Sequence, residues 1–181
     1  MKKYDNLLNP QAVKNNLVFS SLYLSAYELL KSSIIERIES FFATDYNKEG
    51  KPILTSQYKK EVLGLHKYKL AASSLWLEKM EVITEDDVRK IDEIRKHRNK
   101  IAHDLPNVLV EGFEPHLDYF MEIRRLLEKI EIWWIQNFEI PINSDYDGIE
   151  IKDEDIRPGP VIILDHLISI VFSDFEEKRK L

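Results

Sequence analysis

The sequence predicts an all-α protein: a helical bundle of four to five long helices, followed by a C-terminal loop and an extra helix. Three observations carry this. Only five glycines and seven prolines occur in 181 residues, so turns are few and regular elements long. Apolar residues recur at intervals of three and four over long stretches, the spacing of one helix face. Several of these stretches open on residues that cap helices.

Asn9 before Pro10 reads as a cap with proline in the first turn. Phe19, Leu22, Ala26, Leu30, Ile34, Ile38 and Phe41 then keep helical spacing, which predicts one helix over 10–43. Asp45, Asn47, Gly50 and Pro52 predict a loop over 44–54. Thr55 or Ser56 caps a shorter helix carrying Tyr58, Val62 and Leu65, interrupted at Gly64. A further helical piece covers 70–80, and the two are able to join as one bent helix. Thr84 with Asp87 three residues on forms a capping box and opens a helix to His103. Pro106 ends it, because the residue before a proline avoids helical geometry. Glu114-Pro115 starts the next helix, which runs to Phe138 with Leu117, Phe120, Leu127, Ile130, Trp134 and Phe138 inward. Residues 139–159 form a loop with a short strand at 149–151, Pro160 begins a last helix to Phe175, and Glu176 to Lys180 form a charged tail. The domain reading is a bundle over 1–138 with residues 139–181 as an appendage packed on it.

Composition narrows the function classes. With 44% hydrophobic and 32% charged residues the chain suits a soluble globular protein. Cysteine is absent, which excludes disulfides, thiolate metal sites and cysteine nucleophiles and fits a cytoplasmic location. No apolar run has the length of a membrane span, and the first ten residues lack a signal-peptide pattern. The net charge of -6 excludes non-specific coating of nucleic acid, so any phosphate contact must be local. No glycine-rich phosphate loop exists. His66, His97, His116 and His166 show no ligand spacing, so neither a metal nor a cofactor is expected.

The helix over 84–103 contains an anomaly. At about 100° per residue, Val88, Ile91, Ile94, Ile101, Ala102 and Leu105 fall on one arc centred near Arg98. A buried guanidinium costs several kcal/mol unless it is met by a carboxylate, a second subunit or a ligand anion. Asn99 and His103, four apart, share the adjoining face with Asp92 and Lys96. His103 falls where the helix ends, a place that favours a cation. From Arg89 to His103 there are six basic residues against two acidic ones, a candidate phosphate-facing patch in an acidic chain. An arginine, an amide and a titratable histidine within little more than one turn are parts that phosphodiester cleavage requires. His97 points away from this group and reads as solvated.

The run Arg98-Asn99-Lys100-Ile101-Ala102-His103, in its helical context from Ile94 to Leu105, resembles the signature of HEPN domains. That signature is an arginine, a polar residue directly after it, and a histidine four to six residues beyond the arginine. The resemblance covers residues 10–138 and implies a bundle of four or five helices, dimeric, with two motifs meeting across the interface. It implies a metal-independent endoribonuclease, of the kind found in toxin–antitoxin, phage-defence and RNA-processing systems. In that reading Arg98 binds the scissile phosphate, His103 serves as acid or base at the ribose 2′-hydroxyl, and Asn99 positions one of them. Arg95, Lys96 and Lys100 are the substrate-binding candidates. RNA and a second copy are the implied partners, with a nucleotidyltransferase-like antitoxin as a further one.

Other readings stand beside it. Family members also include non-catalytic modules that bind RNA, a nucleotide or a protein, and Arg98 alone can be half of a structural salt bridge. Trp133 and Trp134 could stack bases, but at helical spacing they read as core and interface. The acidic residues at 145–147 and 153–155 do not have the spacing of a calcium loop.

Overall fold

The computed structural model describes residues 5–111 and 117–178. These residues are mostly helical, as the periodicity predicts. After a short α1 (Asp5–Leu8), the Asn9 side chain accepts hydrogen bonds from the backbone N–H groups of Gln11 and Ala12, at 3.0 and 3.2 Å, and starts α2 (Pro10–Phe41). At 32 residues α2 is the spine of the bundle. Its inward residues, among them Tyr23, Ala26, Leu30, Ile34 and Ile38, are buried against α4 (Lys69–Lys79), α5 (Glu85–His103), α7 (Leu117–Trp134) and α9 (Gly159–Lys178).

The segment predicted as a loop after α2 is instead a β-hairpin. Strands β1 (Ala43–Tyr46) and β2 (Pro52–Leu54) pair antiparallel, with Ala43 opposite Leu54 and a bulge before Asp45. The residues that suggested a loop are the turn itself. The Asn47 carboxamide oxygen accepts from the N–H groups of Glu49 and Lys51, and Gly50 takes φ +73°. Strands of three and four residues are too short to show alternation.

Thr55 caps α3 (Ser56–Glu61), which buries Tyr58. A 3₁₀ turn at Leu63–Leu65 and an extended His66 separate α3 from α4, so the two pieces are not one bent helix, and Leu65 is exposed. Helix α4 ends in a Schellman motif. Val82 N–H bonds to the Leu77 carbonyl at 2.9 Å and Glu81 N–H to that of Glu78 at 2.8 Å. The motif forces Glu81 to φ +59°, where a side chain is strained. Glu81→Gly is therefore expected to stabilise the fold by about 0.5–1 kcal/mol in urea unfolding; destabilisation would contradict this reading of the turn.

The capping box at Thr84 forms as predicted, with the Thr84 hydroxyl accepting from Asp87 N–H and the Asp87 carboxylate accepting from Thr84 N–H. Helix α5 ends at Asp104, whose φ of -120° breaks the helix, and α6 (Leu105–Glu111) follows at once. Pro106 thus closes one helix and sits in the first turn of the next, a position proline tolerates. The predicted start of the next helix at Glu114-Pro115, and His116, lie outside the described residues. Helix α7 widens into a π-helical turn at Ile135–Glu139 before a short α8 (Ile140–Ile142). Between α8 and α9 the described chain makes 3₁₀ turns at Ser144–Tyr146 and Asp153–Asp155, and no strand forms at 149–151. Helix α9 continues past Phe175, so residues 176–178 are helical rather than tail.

One core joins these elements. Trp134 is buried and stacks on Trp76 at 6.2 Å, with Phe41 and Phe138 beside it, which fits the core reading. The buried Glu131 accepts from the Ser33 hydroxyl and from Arg37, which also reaches Glu139, tying α2 to α7. Val161 and Leu164 bury α9 in the same core. Among the described residues no helix is long and apolar enough to cross a membrane.

Candidate functional site

Helix α5 buries Ile91, Ile94 and Ile101, whereas Ala102 is exposed and Val88 half-buried. The apolar stripe is thus narrower than the sequence implies, and Arg98, still within it, keeps 30% of its side chain exposed. Its guanidinium lies over the Tyr27 ring, Cζ at 5.3 Å from the centroid. Nη2 donates to Glu28 Oε1 at 2.9 Å, and Nη1 reaches Asn99 Oδ1 at 3.4 Å. Nε is buried without a hydrogen-bond partner among the described residues. Of the three partners that the buried arginine demanded, the carboxylate is present, and it comes from α2.

Glu28 also accepts from Lys31 Nζ at 2.7 Å. Burial pushes its carboxyl up, but the bonds and charges of Lys31 and Arg98 outweigh this and hold it below the ordinary range. The pair is half open to solvent, so its attraction is screened. Asn99 is partly buried against Arg98, while His103 is exposed on the last turn of α5. Arg98, Asn99 and His103 therefore all lie in the last two turns of α5, with Asn99 and His103 on one face and Arg98 about 140° round the helix from His103.

The basic patch is less available than the residue count suggested. Arg95 donates to Asp92 through Nε and Nη2 at 3.0 and 2.7 Å, and Lys96 meets the same carboxylate at 2.8 Å. The Lys96 hydrogen bond, with that from Arg95, holds Asp92 below the usual carboxylate range despite partial burial. Arg89 pairs with Glu85 and Asp86, and Lys90 with Glu93. A count begun at Arg89 left out the acidic first turn of the same helix. Lys100 is exposed.

His97 is not the solvated residue predicted. Its ring stacks on Tyr119 at 4.7 Å and meets the Tyr23 ring edge-on at 4.8 Å, so it packs between α2 and α7. The neighbouring helices supply rings on the side of α5 that the sequence alone left open.

Arg95 and Lys96 face a groove between α4 and α5 with a volume of about 740 Å³. Its mouth carries His66 and Tyr68. Neither ring was picked out from the sequence, although the run His66-Lys67-Tyr68-Lys69 interleaves rings and cations. Glu28 was missed for a different reason: it lies seventy residues from Arg98, and nothing local marks it. Among the described residues no three histidine, aspartate or glutamate side chains are placed to hold a metal ion. Comparison with protein-family models, with curated proteins and with solved structures finds no match.

Proposed function

We propose that the chain is a metal-independent endoribonuclease of the HEPN type, acting as a homodimer through Arg98, Asn99 and His103. The observation that carries the reading is the placement of these three on the last two turns of α5, with Arg98 braced by Tyr27 and Glu28 and His103 open to solvent. The braced guanidinium would hold a non-bridging phosphate oxygen. His103 would take the proton of the ribose 2′-hydroxyl as its oxygen attacks phosphorus. The P–O5′ bond then breaks, and the 5′-oxygen gains a proton. The products are a 2′,3′-cyclic phosphate and a 5′-hydroxyl.

This reaction needs a proton acceptor and a proton donor, and the motif of one chain offers a single exposed histidine. A second copy would supply the other. Leu17, Ser21 and Glu28 share one face of α2, since 11 residues at about 100° bring the helix round to within about 20°. That face runs from the Arg98–Glu28 pair to an apolar groove of about 340 Å³ between α2 and α9, lined by Leu17, Val18, Leu167 and Val171. Ile163 and Ile170, on the same side of α9 as Leu167, are exposed as well. An apolar surface beside the motif suits a second copy. The reading extends to a toxin or phage-defence effector in the cytoplasm, held by a nucleotidyltransferase-like antitoxin.

A specific observation favours a second reading, a non-catalytic HEPN module that binds RNA, a nucleotide or a protein. Arg98 already has a carboxylate partner, and Arg89, Lys90, Arg95 and Lys96 are paired within α5 itself. The two readings separate on product chemistry. Wild-type protein in EDTA is expected to cut single-stranded RNA and leave 2′,3′-cyclic phosphate and 5′-hydroxyl ends. Products with 5′-phosphates, or a strict need for added divalent metal, would contradict the proposed mechanism.

A further inference from the structure

The groove between α4 and α5 is outside the Arg98 motif, yet it opens on the same side of α5 as His103. Its floor is apolar, formed by Leu70 and Leu75 of α4 and Val88 and Ile91 of α5. Tyr68 stands at the mouth with 64% of its surface exposed. The His66 ring is tilted against it at 5.5 Å, and Lys67 Nζ lies 4.8 Å from its centroid. The backbone N–H of Tyr68 donates to His66 Nδ1 at 3.1 Å, which fixes the orientation of the imidazole. An open cavity of about 740 Å³ is the size of a small-molecule site.

We propose that this groove is a base-binding subsite for single-stranded RNA, taking an unpaired nucleotide near the scissile one; this rests on the ribonuclease reading above. Three features select this occupant. The exposed Tyr68 ring, with a cation at hand, provides a stacking platform that any base can use. The apolar floor would equally suit a peptide helix, but at the end of the groove nearer His103 two cations, Arg95 and Lys96, share the single carboxylate of Asp92, a local excess that favours a polyanion, whereas Arg89 at the other end is met by Glu85 and Asp86. Finally, Lys96, Asn99 and His103 follow one another along one face of α5. Seven residues of helix place Lys96 about 10 Å from His103 along the axis. A strand seated in the groove would therefore lead towards the motif.

Asp92 occupies the place between Arg95 and Lys96 that a phosphate would take. It acts as a gate on affinity: RNA must displace it before both cations are available. Removing its charge should strengthen binding, the opposite of what loss of a merely structural ion pair would do.

The test is the affinity of the full chain for a fluorescent 2′-O-methyl oligouridine, which lacks the hydroxyl needed for cleavage, read by anisotropy in EDTA. Tyr68→Ala is expected to weaken binding about tenfold and Tyr68→Phe to leave it near wild type. Asp92→Asn is expected to tighten binding and steepen its salt dependence. A 5-iodouridine version should cross-link to the peptide carrying Tyr68. Unchanged affinity in both Tyr68→Ala and Asp92→Asn, or a cross-link that maps away from the groove, would overturn the proposal. So would a change of oligomeric state in Tyr68→Ala at unchanged affinity, which would give the groove to a second copy. Wild-type RNA cleavage that persists undiminished in Tyr68→Ala, at unchanged affinity, removes the subsite and spares the ribonuclease. Ring-dependent binding without any RNA cleavage does the reverse.

Discussion

Arg98→Ala is expected to lower metal-independent RNA cleavage about 10²–10³-fold, the usual cost of removing one preorganised charge from a transition state. The fold should scarcely notice. Arg98 and Glu28 are each partly exposed, with side-chain accessibilities of 30% and 45%, and exposed ion pairs contribute roughly 0–1 kcal/mol. Glu28 keeps Lys31 when Arg98 is lost. Arg98→Lys sharpens the test, because it retains charge while losing the planar fork that braces against Tyr27 and meets Glu28. It should bind RNA better than the alanine variant and still cut poorly. Single-turnover cleavage and thermal melting, measured on the same preparations, check this. A large loss of melting temperature with cleavage per folded molecule unchanged would make Arg98 a structural residue.

Asp87→Ala is expected to cost about 2–3 kcal/mol of stability at neutral pH. Its carboxylate closes the capping box at Thr84 and also meets Arg125 and Lys129 of α7, so one side chain fixes both the start of α5 and its packing partner. Burial of Asp87 opposes ionisation, but the Thr84 N–H, Arg125 and Lys129 outweigh it and hold the carboxyl far below its ordinary value. A depressed folded-state value stabilises the native state above the unfolded-state pKa of about 4, and the gain disappears as pH falls below that towards the folded value. The gap between wild type and Asp87→Ala, read by urea unfolding, should therefore be widest at neutral pH and narrow progressively as pH falls below about 4. A gap independent of pH would show that the carboxylate's charge is not what stabilises the helix start.

The long elements were legible in the sequence because their signals are local. Asn9-Pro10, Thr84 with Asp87, and the apolar spacing of α2 and α7 each lie within a few turns, and each element formed near its expected place. The hairpin was missed because Asn47 and Gly50 look the same in a turn as in a loop. The π-helical turn at Ile135–Glu139 was invisible because its apolar residues keep helical spacing to the end. The candidate site shows the same division. Periodicity put Arg98 among apolar residues and so called for a partner, but which helix would supply Glu28 depends on packing across seventy residues. His97 was misjudged likewise, since Tyr23 and Tyr119 come from other helices. The Asp92 pairing, by contrast, was readable: three and four residues separate it from Arg95 and Lys96.

The most direct test of the central claim is cleavage of a mixed RNA pool in EDTA by wild type and His103→Ala, side by side. His103 is exposed, so its loss should leave the fold intact. The account predicts cutting with cyclic-phosphate ends by the wild type and a loss of about 10²–10⁴-fold in the variant. No cutting by either protein, or equal cutting by both, would contradict it and leave the non-catalytic binding module as the reading that stands.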